Sequence, residues 1–255
     1  MTAVKDKAVC IGKRNYSETS QIVTLFSRGQ GKIRALAKGS RRERGRFGGG
    51  IDVLAEGEIL FVPPRGEGTL AILTEFDLQE SFTNLRQDLP ALPCAEYMSY
   101  LLGEFTEEFD PCEKLYVAFV SALKRLGPLC RSELVLLDFE LTLLREIGLS
   151  PVWGRCSSCG GPLEASGKYL YFSSGSGGML CRDCEPAVVE KRPVNPRVLQ
   201  LLQHPETAET ATRKTTFEAH ELLSYHQQEL AGKQAAVMKF VNQILRKLMS
   251  ERVEE

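Results

Sequence analysis

The chain has 255 residues, of which 43% are hydrophobic and 25% charged, with a formal net charge of −1. These values describe an ordinary soluble globular protein of one large or two modest domains. The near-zero net charge favours neither a polyanionic nor a polycationic partner for the molecule as a whole, and no apolar run is long enough to span a bilayer.

The first 80 residues read as strands. Ala8-Val9-Cys10-Ile11 is one, and Gln21-Ile22-Val23-Thr24-Leu25-Phe26, rich in β-branched and aromatic residues, is a second. Gly29 and Gly31 turn the chain into a third, Lys32 to Lys38. Glu58 to Val62 is a fourth, and Gly66 and Gly68 turn it into a fifth, Thr69 to Thr74. Five short strands with glycine turns predict a small closed barrel, for which a five-stranded Greek-key OB-fold is the commonest solution.

Between Arg28 and Arg46 the charge is far from balanced. Arg28, Lys32, Arg34, Lys38, Arg41, Arg42, Arg44 and Arg46 are opposed only by Glu43, a local +7. Alternate side chains of a strand share a face, so Lys32, Arg34 and Lys38 are expected to project together while Ile33, Ala35 and Ala37 face inward. The strand leads into an arginine-rich, glycine-rich loop, and the whole forms a cationic track suited to a phosphate backbone. Tyr16 and Phe47 are candidate stacking platforms. The acids lie elsewhere: residues 86 to 149 hold eleven acids and six bases. A basic track without helical recognition chemistry predicts backbone contact and little base reading.

From Pro90 the hydrophobic period becomes helical. Tyr97, Leu101 and Phe105 mark one helix, and Leu115, Phe119 and Leu123 a second that stops at Gly127-Pro128. Ser132 is a candidate N-cap for a third, which ends at Gly148 with Pro151 beyond. Asn195-Pro196 starts a short helix to Gln203, and amphipathic stretches cover roughly 215–230 and 233–250. About six helices are expected to pack as one bundle.

Cys156, Cys159, Cys181 and Cys184 form two Cys-x-x-Cys knuckles separated by 21 residues. Four thiolates can close a tetrahedron around one Zn²⁺ and leave no open position for water, so such a metal is structural. The glycine-rich segment between the knuckles includes Lys168-Tyr169-Leu170-Tyr171-Phe172, a candidate short hairpin with too little mass for a core of its own. A redox dithiol needs only one pair and a surrounding βαβ pattern, which is missing here. The His-x-Glu of a zinc deaminase precedes its cysteines, whereas His204-Pro205-Glu206 follows both knuckles.

The other four cysteines, Cys10, Cys94, Cys112 and Cys130, are scattered through regular elements as small core residues. Reduced thiols with a zinc pattern, and an N-terminus unlike a signal peptide, predict a cytoplasmic protein. The expected organisation is a barrel over 1–80, a helical bundle from 81–151 and 187–255, and a zinc ribbon at 152–186 inserted in it. No phosphate-binding loop, His-Glu-x-x-His or Gly-x-Ser-x-Gly is present, and the three histidines lack a nucleophile partner. A binding protein is expected, not an enzyme. Other classes are an RNA-binding OB-fold and zinc-ribbon protein of the ribosome or transcription machinery, a nuclease with unmarked carboxylates, and a pure adaptor.

Three patterns in order resemble the RecO family of bacterial recombination mediators. They are Gly12 to Ser27, with its Tyr16-Ser17-Glu18-Thr19-Ser20 stretch; Gly31 to Arg42, with Lys38-Gly39-Ser40-Arg41-Arg42; and the four cysteines, preceded by Gly148-Leu149-Ser150-Pro151. The resemblance implies an N-terminal OB-fold, a C-terminal helical domain bearing the zinc ribbon, and a nucleoid-associated protein that binds single- and double-stranded DNA. It further implies annealing of strands coated by single-strand binding protein and, with RecR, help in loading RecA. The acidic, apolar tail of single-strand binding protein wants an apolar groove with a basic rim, for which Lys114, Lys124, Arg125 and Arg131 are candidates.

Overall fold

The computed structural model describes residues 2–42, 47, 50–66, 68–163 and 170–251. The chain divides into two compact units, 1–130 and 131–255.

In the first unit five strands, β1 (Val4–Asn15), β2 (Gln21–Ser27), β3 (Gly31–Ala37), β4 (Glu56–Val62) and β5 (Ala71–Glu80), close in the order β1-β2-β3-β5-β4. Every pairing is antiparallel except β3 with β5, which run parallel over Ala35–Ala37 and Ala71–Leu73. This is the OB-like barrel predicted from the strand pattern. The strands β1 and β5 run several residues beyond their apolar cores, because ladder bonds to their neighbours continue where the side chains become polar. Alternation fills the interior: Val23 and Leu25 of β2, and Ile33, Ala35 and Ala37 of β3, lie in one core with Cys10, Phe61 and Leu73.

Helices α1 (Ala91–Phe105) and α2 (Glu113–Arg125) belong to this same unit. The first compact unit thus extends past the barrel boundary expected at residue 80. The physical reason is an apolar patch on the outside of the barrel that needs cover. Phe26 of β2 is fully buried with its ring 6.4 Å from that of Tyr116 on α2. The Tyr116 hydroxyl donates to the buried Glu56 carboxylate at 2.7 Å, and Lys7 approaches the same carboxylate at 3.3 Å. Burial, then this hydrogen bond to a carboxylate, pushes the Tyr116 phenol well above its ordinary value.

The second unit holds α3 (Ser132–Glu146), a small sheet of β6 (Leu170–Ser173), β7 (Gly178–Leu180) and β8 (Arg192–Val194), then α4 (Pro196–Gln203), α5 (Arg213–Ala231) and α6 (Ala236–Glu251). Ser132 is the first helical residue and Arg131 the cap; the buried Ser132 hydroxyl finds no hydrogen-bond partner among the described residues. At the other end of α3 the chain closes as its sequence predicted. Gly148 is left-handed (φ +74°), its N–H reaches Arg145 O at 3.2 Å, and Leu149 N–H reaches Leu144 O at 2.8 Å. Asn195 caps α4 by accepting from Arg197 N–H at 2.9 Å, with Pro196 in the first turn.

The expected hairpin is present as β6 and β7; Lys168 and Tyr169, at its predicted start, lie outside the described residues. It gains a third strand, β8, in the order β7-β6-β8. It also shares a core with the helices: Phe172 and Met179 are fully buried in one cluster with Leu144, Val198, Leu202 and Leu223.

Two histidines on α5 face opposite ways. Buried His220 lies with Nδ1 2.9 Å from Glu140 Oε2 on α3 and Nε2 2.8 Å from Asn242 Oδ1 on α6. Burial acts against its charge, but the Glu140 carboxylate outweighs it and raises the His220 pKa. His226 meets Ser174 of the β6–β7 turn at 2.7 Å and Leu149 O at 3.3 Å, and burial lowers its pKa. The consequences for stability have opposite signs. The His220 contribution is complete below the ordinary histidine range and is lost as pH rises through its raised pKa. The His226 contribution is complete above that range and is lost as pH falls toward its lowered one. A thermal melt of the second unit against pH should show an optimum near neutrality, and His220→Gln should flatten the alkaline limb alone.

Candidate nucleic-acid interface and metal centre

The outer face of the barrel is built by strand register. Thr24 of β2 stands between Gly12 of β1 and Arg34 of β3, and Ile22 between Arg14 and Leu36. Arg34, Lys38 and Arg14 thus share the face opposite the core and are exposed. The turn after β3 adds Arg41 and Arg42, also exposed. Backbone bonds tie this turn to the β1–β2 loop: Arg41 N–H donates to Thr19 O at 3.0 Å, and its guanidinium reaches Ser17 O at 3.3 Å. Tyr16, 63% exposed, is in the same loop. The arrangement brings Arg14, Lys38, Arg41 and Arg42 and an open aromatic ring to one end of the barrel, with Arg34 on the same face.

One side chain holds both ends of the arginine-rich loop. Gln21 is 4% exposed, and its Oε1 accepts from Ser40 Oγ at 2.9 Å and Ile51 N–H at 3.1 Å, while its Nε2 donates to Ile51 O at 3.3 Å. The loop therefore leaves and re-enters the barrel at a fixed point. Gln21→Ala orphans the buried Ile51 amide and Ser40 hydroxyl, and should cost about 1–3 kcal/mol in a denaturant titration of the first unit. Nothing in the sequence marked this glutamine, since a polar residue opening an apolar strand reads as a boundary.

The structure separates the other expected contacts. The Lys32 ammonium is covered by the end of α1: it donates to Gly103 O at 2.7 Å and to Thr106 O. Burial lowers its pKa. Lys32 shares a strand face with Arg34, as periodicity predicts, but its head is committed to a helix end. Phe47 is half-buried and packs against the barrel core, so its ring is not an open platform. Arg44 and Arg46 lie outside the described residues. Lys114, Lys124 and Arg125 are exposed on α2 of the first unit. Arg131 belongs to the second and is engaged there, with Glu133 at 3.0 Å, Ala211 O at 3.1 Å and Thr216 Oγ1 at 3.2 Å.

The four knuckle cysteines come together in the second unit, with their sulfurs all within 4.8 Å of one another. Cys159 and Cys181 Sγ are 3.7 Å apart, against an edge of about 3.8 Å for a tetrahedron with bonds of roughly 2.3 Å. The backbone shapes the first knuckle for thiolate: Gly160 N–H returns to Cys156 O at 2.9 Å, and Gly161 N–H donates to Cys159 Sγ at 3.4 Å. Burial acts to raise the Cys156 thiol, but hydrogen bonds from the Cys181, Cys159 and Ser158 backbones outweigh it and bring it down to about 6. The donor set and its spacing fit a metal ion closed off from solvent chemistry. Among the described residues no helix is long and apolar enough to cross a membrane.

Two family models match the chain. Recombination protein O N terminal matches residues 1–82, and Recombination protein O C terminal matches residues 86–234. The chain belongs to the RecO family. The family boundary falls just after the barrel, whereas the compact units part after Cys130. Curated relatives named DNA repair protein RecO include one from Rhodopirellula baltica, 34% identical over 71% of this chain and 66% of that protein. Those from Bacillus pumilus and Anaeromyxobacter dehalogenans (strain 2CP-C) are 28% and 30% identical over 96% of this chain and 97% and 98% of theirs.

Proposed function

We propose that this RecO-family chain is a DNA repair protein that works as a recombination mediator. It binds single- and double-stranded DNA, anneals complementary strands coated by single-strand binding protein and, with RecR, helps load RecA. The observation that carries the reading is a family match across most of the chain, on a barrel with Arg14, Lys38, Arg41 and Arg42 at one end and Arg34 on the same face. Annealing is opposed by repulsion between two polyanions and by the protein that coats each strand. Cations on the barrel neutralise phosphate, and released counterions favour binding. Two strands held on one protein meet at raised effective concentration, with no bond made or broken and no catalytic group required. The setting is the cytoplasm, on the nucleoid.

Zn²⁺ on Cys156, Cys159, Cys181 and Cys184 is the metal this donor set favours. Its part is to hold the two knuckles, which in turn seat β6 and β7 on the helical core. A partner surface for the tail of single-strand binding protein is supported on α2, where exposed Val117 stands between Lys114 and Lys124 at helical spacing. Arg131 is left out, because its guanidinium is already satisfied.

The test is annealing of two complementary oligonucleotides, each coated with single-strand binding protein, with and without the zinc-loaded chain. Acceleration without ATP that fades as salt rises is expected. No acceleration, together with tighter binding to RNA than to DNA of the same sequence, would move the protein to the RNA-binding class.

A further inference from the structure

Residues 104–113, Glu-Phe-Thr-Glu-Glu-Phe-Asp-Pro-Cys-Glu, join α1 to α2 and carry five acids and no base. They lie against β3, which carries Lys32 and Arg34 and no acid. The strand β5 pairs with β3 only at Ala35–Ala37, so the first half of that β3 edge needs another partner. The connector supplies it: Glu108 bridges Lys32 in parallel, and Phe109 N–H donates to Lys32 O at 3.0 Å. Phe109, with φ +59°, packs its ring against the barrel core. The backbone approaches so closely that a Cβ on Gly31 would stand 2.1 Å from Asp110 O, which is why no other residue fits there. The anchors are thus backbone and apolar contacts.

The carboxylates do something else. Glu113 Oε1 takes two bonds from the Arg28 guanidinium, at 2.9 and 2.6 Å, and Glu108 Oε1 lies 3.4 Å from Arg34 Nη1. All four side chains are substantially exposed. Exposed pairs of this kind are weak and screened by salt, so they add little to the hold on the connector and open readily.

We infer that the acidic connector 104–113 is a built-in competitor for nucleic acid: it occupies Arg28 and Arg34, confines phosphate to the Arg14, Lys38, Arg41 and Arg42 end, and yields β3 only to a dense polyanion. This rests on the DNA-binding reading above. A mediator that must let go of the duplex it has made gains from a track whose full charge is not permanently available.

The experiment measures oligothymidylate binding to the full-length, zinc-loaded chain by fluorescence anisotropy over a salt series. The subject is E108Q/E113Q, which keeps the backbone anchors. E75Q/E96Q, with equal loss of negative charge outside the connector, is the comparison. E108Q/E113Q should bind about three- to tenfold more tightly at low salt, with a log–log salt slope steeper by about 1.4, roughly 0.7 for each freed arginine. Restoring the wild-type affinity by adding R28Q/R34Q would support the inference further. A gain no greater than that of E75Q/E96Q, or an unchanged slope, overturns it while the DNA reading stands. No binding by wild type or either variant overturns both.

Discussion

K38E/R41E/R42E is expected to bind every oligonucleotide sequence alike more weakly, by roughly a hundredfold or more at low salt in an anisotropy titration, with a log–log salt slope lower by about 2. The three residues are exposed at the turn that Thr19 and Gln21 hold in place. On the proposed reading each would meet a phosphate oxygen and not a base edge, because a barrel strand and a turn offer no helix to a groove. Reversing a charge removes a contact and adds repulsion, so the loss exceeds that of neutral substitution. Loss at one sequence only would show base reading and defeat the account. Arg34 is left intact, since its pairing with Glu108 would mix two effects. Lys32 gives the contrast: Lys32→Met should leave the salt slope unchanged while lowering stability, because its ammonium serves Gly103 and Thr106 carbonyls.

The second large effect is on folding. A chelator, or Cys156→Ser, should lower the melting temperature of the second unit by on the order of 10 °C or more, because structural Zn²⁺ sites contribute about 10 kcal/mol or more of binding to the folded state. The loss spreads beyond the ribbon because Phe172 and Met179 are part of the helical core. A local reporter is already present. Trp153, the single tryptophan, stacks on Phe172 with centroids 5.4 Å apart and planes at 23°. Its emission should shift to the red as metal leaves and return when Zn²⁺ is restored. A melt indifferent to metal, with unshifted emission, would mean that the hydrophobic contacts alone hold β6 and β7.

Much of the candidate site could be read in advance, and the exceptions have a common cause. The period of two in β3 placed Ile33, Ala35 and Ala37 in the core and the cations opposite, since pleat geometry leaves no other solution. The cysteine spacing predicted one cluster because two Cys-x-x-Cys turns present sulfurs at the scale of a single ion. Lys32, Phe47 and Arg131 were legible only as residue types. Whether such a side chain meets water, a helix end or a core depends on segments distant in sequence. Thr106 lies 74 residues beyond Lys32, and Thr216 lies 85 beyond Arg131.

The sequence by itself determined the local choices: the five barrel strands, the helical stretches, the caps at Asn195 and Gly148, the paired knuckles and the segregation of charge. Each follows from short-range sterics, hydrogen bonding or periodicity within a dozen residues. Only the tertiary structure decided which elements share a core and which cations remain available. An amphipathic stripe specifies that a face must be buried but not against what. Thus α1 and α2 settled with the barrel, the ribbon's sheet settled on the helices of the second unit, and the acids of 104–113 came to rest on the basic edge of β3.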